Sequence, residues 1–147
     1  MRKFLLPIIN LVNLILVSIA WGLSGKSAVI DAGNGDKACG NMYQIIWFGS
    51  KANGVAIVAF FLFCFACAAT LIAFLPVKWR KYVSCTAGAF YIASGIMFLL
   101  SPKTYDFAMV KPELTGAFIA ICVLILIAGA FSCCMAAIEF LGKKQSK

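Results

Sequence analysis

Cys64 and Cys67 stand in a C-x-x-C spacing, which in a soluble protein would serve dithiol exchange or hold zinc. A reactive thiol needs a base, cation or metal nearby to hold it as thiolate. The chain has no histidine, and no charged residue lies between Lys51 and Lys78. The pair therefore reads as packing residues in an apolar block. Of seven cysteines, Cys39 alone sits in a polar segment, so no disulfide framework is expected. Cys133 and Cys134 lie near the end of the last apolar block, where membrane proteins of some sources carry acyl chains. Asp31 and Asp36, five apart among glycines, are too few and too solvated for a cation site and read as turn residues. The sequence has no phosphate-cradling glycine loop, no metal-ligand constellation and no nucleophile with a histidine base. The expectation is a protein that is not an enzyme and carries no cofactor or metal.

The polar residues that stand out are uncharged and embedded. Asn10 and Asn13 are three apart inside an apolar run, hence on one helix face. An amide in hydrocarbon seeks a partner, so this face is expected to meet another helix or line a polar path. Ser18, Thr70, Ser84, Thr86 and Ser94 are further candidates for such a lining. Small residues recur at helix-contact spacing: Gly88 and Gly95, with Ala87 and Ser94 beside them; Ala128, Ser132 and Ala136, next to Gly129 and Cys133; and Ala69 and Ala73. Such stripes let backbones approach closely. Asn10, Asn13, Gly88, Gly95, Ala128 and Ser132 are therefore the candidate helix-contact or pore-lining residues. No block carries a charge at its centre, which removes the usual coupling group of pumps and proton-driven transporters.

These residues are carried by four uncharged blocks, 4–23, 52–77, 82–101 and 114–138. Hydrophobic residues make up 63% of the 147, and charged residues 12%. A soluble domain is nearer half apolar and a quarter charged, so lipid is the solvent that fits. At 1.5 Å per residue the first block spans about 30 Å and the second roughly 39 Å, enough to cross a bilayer, the second with tilt. Pro112 and Glu113 are start signals for the last helix, and Glu139 and Lys143 have the spacing of a helical ion pair. Gly33-Asn34-Gly35-Asp36 is a turn signal, and 42–48, with Tyr43 and Trp47, reads as a short strand or an interfacial segment. The fold class is an all-α membrane protein, a single antiparallel bundle of four transmembrane helices. Its external loops are 24–51 and 102–113.

The charge pattern sets the orientation. One side, comprising the N-terminus, residues 78–81 and the C-terminal tail, holds eight basic residues against Glu139; the other holds five against four acids. The excess of lysine and arginine in short segments places both termini in the cytoplasm. The net charge of +8 is thereby assigned to topology and lipid headgroups, and no nucleic acid partner is expected. A cleaved signal peptide is the competing reading of the first block, with Arg2 and Lys3 ahead of it and Ser18-Ile19-Ala20 as cleavage positions. The 20-residue length, Pro7 and the two asparagines favour a retained span.

The layout, with a longer first external loop, a tight cytoplasmic hairpin at 78–81 and a shorter second loop, resembles tetraspan families such as the claudin-like proteins, and Trp21-Gly22-Leu23 is similar to part of an aromatic motif of that group. In that group the motif lies in the loop and is followed by two cysteines, whereas here it ends a helix and the loop holds only Cys39. The resemblance therefore implies a layout and no residue role. The expected protein is a multi-pass resident of the cell membrane, in contact with the lipid bilayer and with a homo-oligomeric or membrane-protein partner, as accessory subunit, scaffold or assembly factor. The alternative is a channel or small solute transporter built from several copies.

Overall fold

The computed structural model describes residues 2–24, 28–31, 37–40, 53–75, 78–104 and 115–144; the side chains of 2–7, 24, 28–31, 37–40, 102 and 142–144 are outside the description. The turn expected at 33–36, the segment 42–48, and Pro112 and Glu113 lie outside the described residues. Four helices follow one another: α1 (Arg2–Ser24), α2 (Gly54–Ile72), α3 (Arg80–Leu100) and α4 (Gly116–Lys144). Three stretches, Gly54–Ile72, Arg80–Leu100 and Gly116–Leu141, are long and apolar enough to cross a membrane, and α1 contributes a shorter apolar stretch, Ile8–Leu23. These are the features of a membrane-spanning helical protein.

The first long loop is not wholly irregular. Strands β1 (Ala28–Asp31) and β2 (Lys37–Gly40) pair antiparallel, with Ala28 opposite Gly40 and Asp31 opposite Lys37. The helical class thus holds for the bundle, and the loop adds a short two-stranded ribbon. The β-branched Val29-Ile30 pair supplies the strand preference.

Contacts across the bundle are antiparallel. Trp21 near the end of α1 stacks on Phe63 at 5.6 Å, Phe98 late in α3 meets Phe118 early in α4, and Tyr82 early in α3 meets Phe140 late in α4. Helix α3 packs along both α2 and α4; α1 packs mainly on α4 and only lightly on α2.

Buried positions recur at alternating steps of three and four. In α2 they are Ala56, Ala59, Phe63, Ala66 and Thr70, with Ala73 just beyond; in α1 they are Asn10, Asn13, Val17 and Ala20. The α4 series Phe118, Ile121, Ile125, Ala128, Ser132 and Met135 has the same rhythm. A mean period of 3.5 is the seam of helices that wrap around one another with a left-handed twist. The outward faces are apolar: Leu11, Ile15, Phe61, Phe65, Leu71 and Val123 are all exposed. Polar atoms inside and large aliphatics outside is an arrangement that lipid, not water, stabilises.

Two boundaries differ from the apolar blocks. Helix α2 stops at Ile72 and runs into a turn at Ala73 and Phe74, although no charge appears until Lys78. Helix α4 continues to Lys144, past the end of its uncharged block at Ile138 and through Gly142, because Glu139–Lys144 holds no proline and its other residues include good helix formers.

Candidate functional site

The residues with the most chemistry form a neutral polar layer inside the half of the bundle that holds the start of α3 and the end of α4. Asn13 is fully buried, and its Nδ2 donates to Ser132 Oγ at 2.6 Å, joining α1 to α4. Asn10, one turn nearer the N-terminus, donates from Nδ2 to the Ala73 carbonyl at 3.5 Å, joining α1 to the end of α2. The three-residue spacing brings both amides to the buried stripe of α1. Leu11 and Val12, which sit between them, are exposed.

Thr70 donates to the Ala66 carbonyl of its own helix at 2.9 Å, so at 3.1 Å the Tyr91 hydroxyl is the donor to Thr70 Oγ1. The Tyr91 ring is fully buried against Phe63, and the Cys67 thiol faces its hydroxyl. A tyrosine in α3 leans toward that helix's N-terminus, which carries its hydroxyl to the level of Thr70. Lower in the same interface, Ser94 donates to the Ala59 carbonyl at 2.8 Å. Two buried oxygens, Asn13 Oδ1 and Ser84 Oγ, have no hydrogen-bond partner among the described residues.

Close backbone approach supports this layer. A Cβ on Gly88 would lie 2.6 Å from Cys133 Sγ and 3.0 Å from the Gly129 carbonyl oxygen; one on Gly129 would lie 3.1 Å from the Gly88 carbonyl oxygen. Gly95 faces Leu126 and the Cys122 carbonyl in the same way. The two glycines seven apart in α3 thus stand on the α3–α4 crossing, and Ala128, beside Gly129 in α4, is fully buried. The small-residue stripes are occupied within one chain.

Of the hydroxyls considered for a lining, Thr70, Ser84 and Ser94 share the interior with the asparagines. Ser18 and Thr86 do not: both are exposed, and Thr86 donates back to its own helix at Tyr82. Cys64 and Cys67 are partly buried in α2, and all six cysteines described are free. Among the described residues no group of three histidine, cysteine or acidic side chains is placed to hold a metal ion. Amides, hydroxyls and thiols held this way can orient one another and seal helix contacts; none is paired with a base.

At the opposite end, Asn53 was not singled out from the sequence, although an asparagine just ahead of an apolar run is a helix-cap signal. Its Oδ1 accepts from the Val55 and Ala56 N–H groups and from the Thr104 hydroxyl, while its Nδ2 donates to the Ser101 carbonyl at 2.8 Å. One side chain therefore caps α2 and ties it to the end of α3. Glu139, expected to pair with Lys143, faces Arg80 Nε at 3.6 Å, because the antiparallel contact of α3 and α4 brings the two helix ends together. The side chain of Lys143 is outside the described residues.

With this geometry in hand, the chain was compared with protein-family models, curated proteins and solved structures, and nothing matched.

Proposed function

We propose that the chain is a four-span protein of the cell membrane, with both ends in the cytoplasm, that works without catalysis by presenting its lipid-facing helices and external loops to other membrane components. An accessory subunit, scaffold or assembly factor is the role that fits. The observation that carries this reading is the closed interior. Tyr91, Phe98, Ile121, Ile125 and Met135 are all buried inside the bundle, and among the polar side chains beside them Asn13, Thr70, Tyr91 and Ser94 bond to neighbouring helices. Inclusion of α1 as a span rests on its buried stripe, whose Asn10 and Asn13 bond to the other helices. The orientation rests on the lysine and arginine excess at Lys78, Arg80, Lys81 and both termini.

A pore shared among copies would have to be lined from the outer faces, and among the described residues the serine and threonine hydroxyls exposed along the helices are those of Ser18 and Thr86. Asn10, Asn13, Thr70, Ser84 and Ser132 point the other way. The contact role is therefore preferred to an oligomeric channel.

Purification of the full chain from native membranes in mild detergent, with chemical cross-linking and mass spectrometry, tests the reading. A membrane protein or second copy cross-linked at fixed stoichiometry through the outward faces or loops is expected. A monodisperse single chain without cross-linked partner, together with solute flux in liposomes containing only this protein, would overturn it.

A further inference from the structure

The start of α3 gathers features that the contact role does not use. Lys78, Arg80 and Lys81 place three cations within four residues, interrupted by Trp79, which is 62% exposed. Trp79 is the residue capping α3, and its side chain makes no capping hydrogen bond, so no side chain of that residue occupies the positive end of the helix. Lys81 Nζ lies 4.3 Å from the centroid of Phe140 and 4.7 Å from that of Tyr82, which holds its charge against the end of α4. Arg80 is anchored beside Glu139 at 3.6 Å with its side chain 21% exposed, and its buried Nε and Nη2 have no hydrogen-bond acceptor among the described residues. A guanidinium has five N–H donors in a planar fork suited to phosphate oxygens. Exposed tryptophan and tyrosine beside cations, at the end of apolar helices, mark the depth at which lipid phosphates lie.

We infer that the α3 start and the α4 end together form a seat for the phosphate of an anionic phospholipid, with Arg80 and Lys78 as its ligands, Lys81 as a charge fixed by the two rings, and Trp79 packed along the glycerol and upper acyl region. Glu139 limits the site to one anion by neutralising part of Arg80 and keeping its side chain in place. This inference rests on the membrane-spanning reading but not on which face is cytoplasmic.

The test is native mass spectrometry of the full chain in detergent, titrated separately with phosphatidylglycerol, phosphatidylcholine and inorganic phosphate. Wild type is expected to retain phosphatidylglycerol in preference to phosphatidylcholine and to be indifferent to millimolar inorganic phosphate. A lysine near an anionic membrane surface is worth about 1 kcal/mol, so K78Q and K81Q should each weaken phosphatidylglycerol retention about fivefold. K103Q, at the other end of α3, should leave retention unchanged. Arg80→Lys keeps the charge and the helix but not the fork, and should lose part of the preference. Should R80K disturb folding, the two lysine variants carry the test. Equal retention of both lipids, or K78Q and K81Q indistinguishable from wild type, would overturn the inference. Displacement by inorganic phosphate would also overturn it, by reducing the site to one for free anions. Failure of any of these leaves the contact role standing, since that role is read from cross-linking.

Discussion

Substituting alanine for Gly88 tests whether α3 and α4 cross as tightly as the geometry requires. The added methyl carbon would lie 3.0 Å from the Gly129 carbonyl oxygen and 3.1 Å from Cys133 N, both backbone atoms, and 2.6 Å from Cys133 Sγ. Ordinary contact begins near 3.4 Å, so the helices must separate by about 0.4 Å (3.4 less 3.0) while the thiol rotates away. Overpacking of this kind costs about 1–3 kcal/mol, and the better helix propensity of alanine returns up to about 1. The net loss expected is about 1–2 kcal/mol, or several degrees in Tm for a chain of this size. Gly22 is the internal control, because nothing lies within 4 Å of its added Cβ. There alanine should be neutral or stabilising by up to about 1 kcal/mol. Reversible unfolding in mixed detergent, followed by circular dichroism, measures both. If Gly88→Ala unfolds with wild type, or falls alongside Gly22→Ala, the crossing is looser than described and the reasoning fails. Because a Cβ on Gly88 would meet the Gly129 carbonyl and one on Gly129 the Gly88 carbonyl, the double alanine variant should also depart from additivity.

Three further outcomes are expected. The Asn13–Ser132 bond should give a coupling energy of about 0.6 kcal/mol, and no more than about 1.7, in an Asn13→Ala, Ser132→Ala cycle, the average and the maximum for hydrogen bonds between membrane helices; a value near zero would mean that this bond adds nothing to the packing of α1 on α4. Asn53→Ala should destabilise by about 1–3 kcal/mol through loss of a cap and of the tie to Ser101, and Asn53→Asp should recover only the cap part, both read by thermal unfolding. Tyr91→Phe should cost about 1 kcal/mol, because it removes the hydrogen bond to Thr70 while the ring packing on Phe63 persists; a loss of more than about 3 would point to a larger role for the hydroxyl.

Much of the bundle is legible in the residue pattern because burial in lipid is written as an absence of charge. The blocks at 52–77, 82–101 and 114–138 correspond to α2, α3 and α4, and the shared face of Asn10 and Asn13 follows from a spacing of three. What periodicity cannot supply is the identity of a partner across space. Ser132 as the acceptor for Asn13, Tyr91 above Thr70, and Arg80 beside Glu139 depend on how antiparallel helices are slid along one another. Between α3 and α4 that register includes the close contacts of Gly88, Gly95 and Gly129, whose depth is invisible until the backbones are placed. A local spacing points from Glu139 to Lys143, whose side chain is outside the described residues, and gives no hint of Arg80 across the bundle. Asn53 did have a local signal, its position at the head of an apolar run, but its second bond to Ser101 lies 48 residues away. The ribbon of β1 and β2 was masked by the glycines and charges around it, which read as loop.

The central claim is four membrane crossings with both ends on one face, and the most direct measurement is a topology map in intact cells. Different epitope tags would be placed at the two ends, and Lys103→Cys would be introduced in a Cys39→Ser background for labelling with a membrane-impermeant maleimide. Both tags should be reached only after permeabilisation, while position 103 is labelled in untreated cells. Detection of either tag at the surface of intact cells, or labelling at 103 only after permeabilisation, would contradict the account.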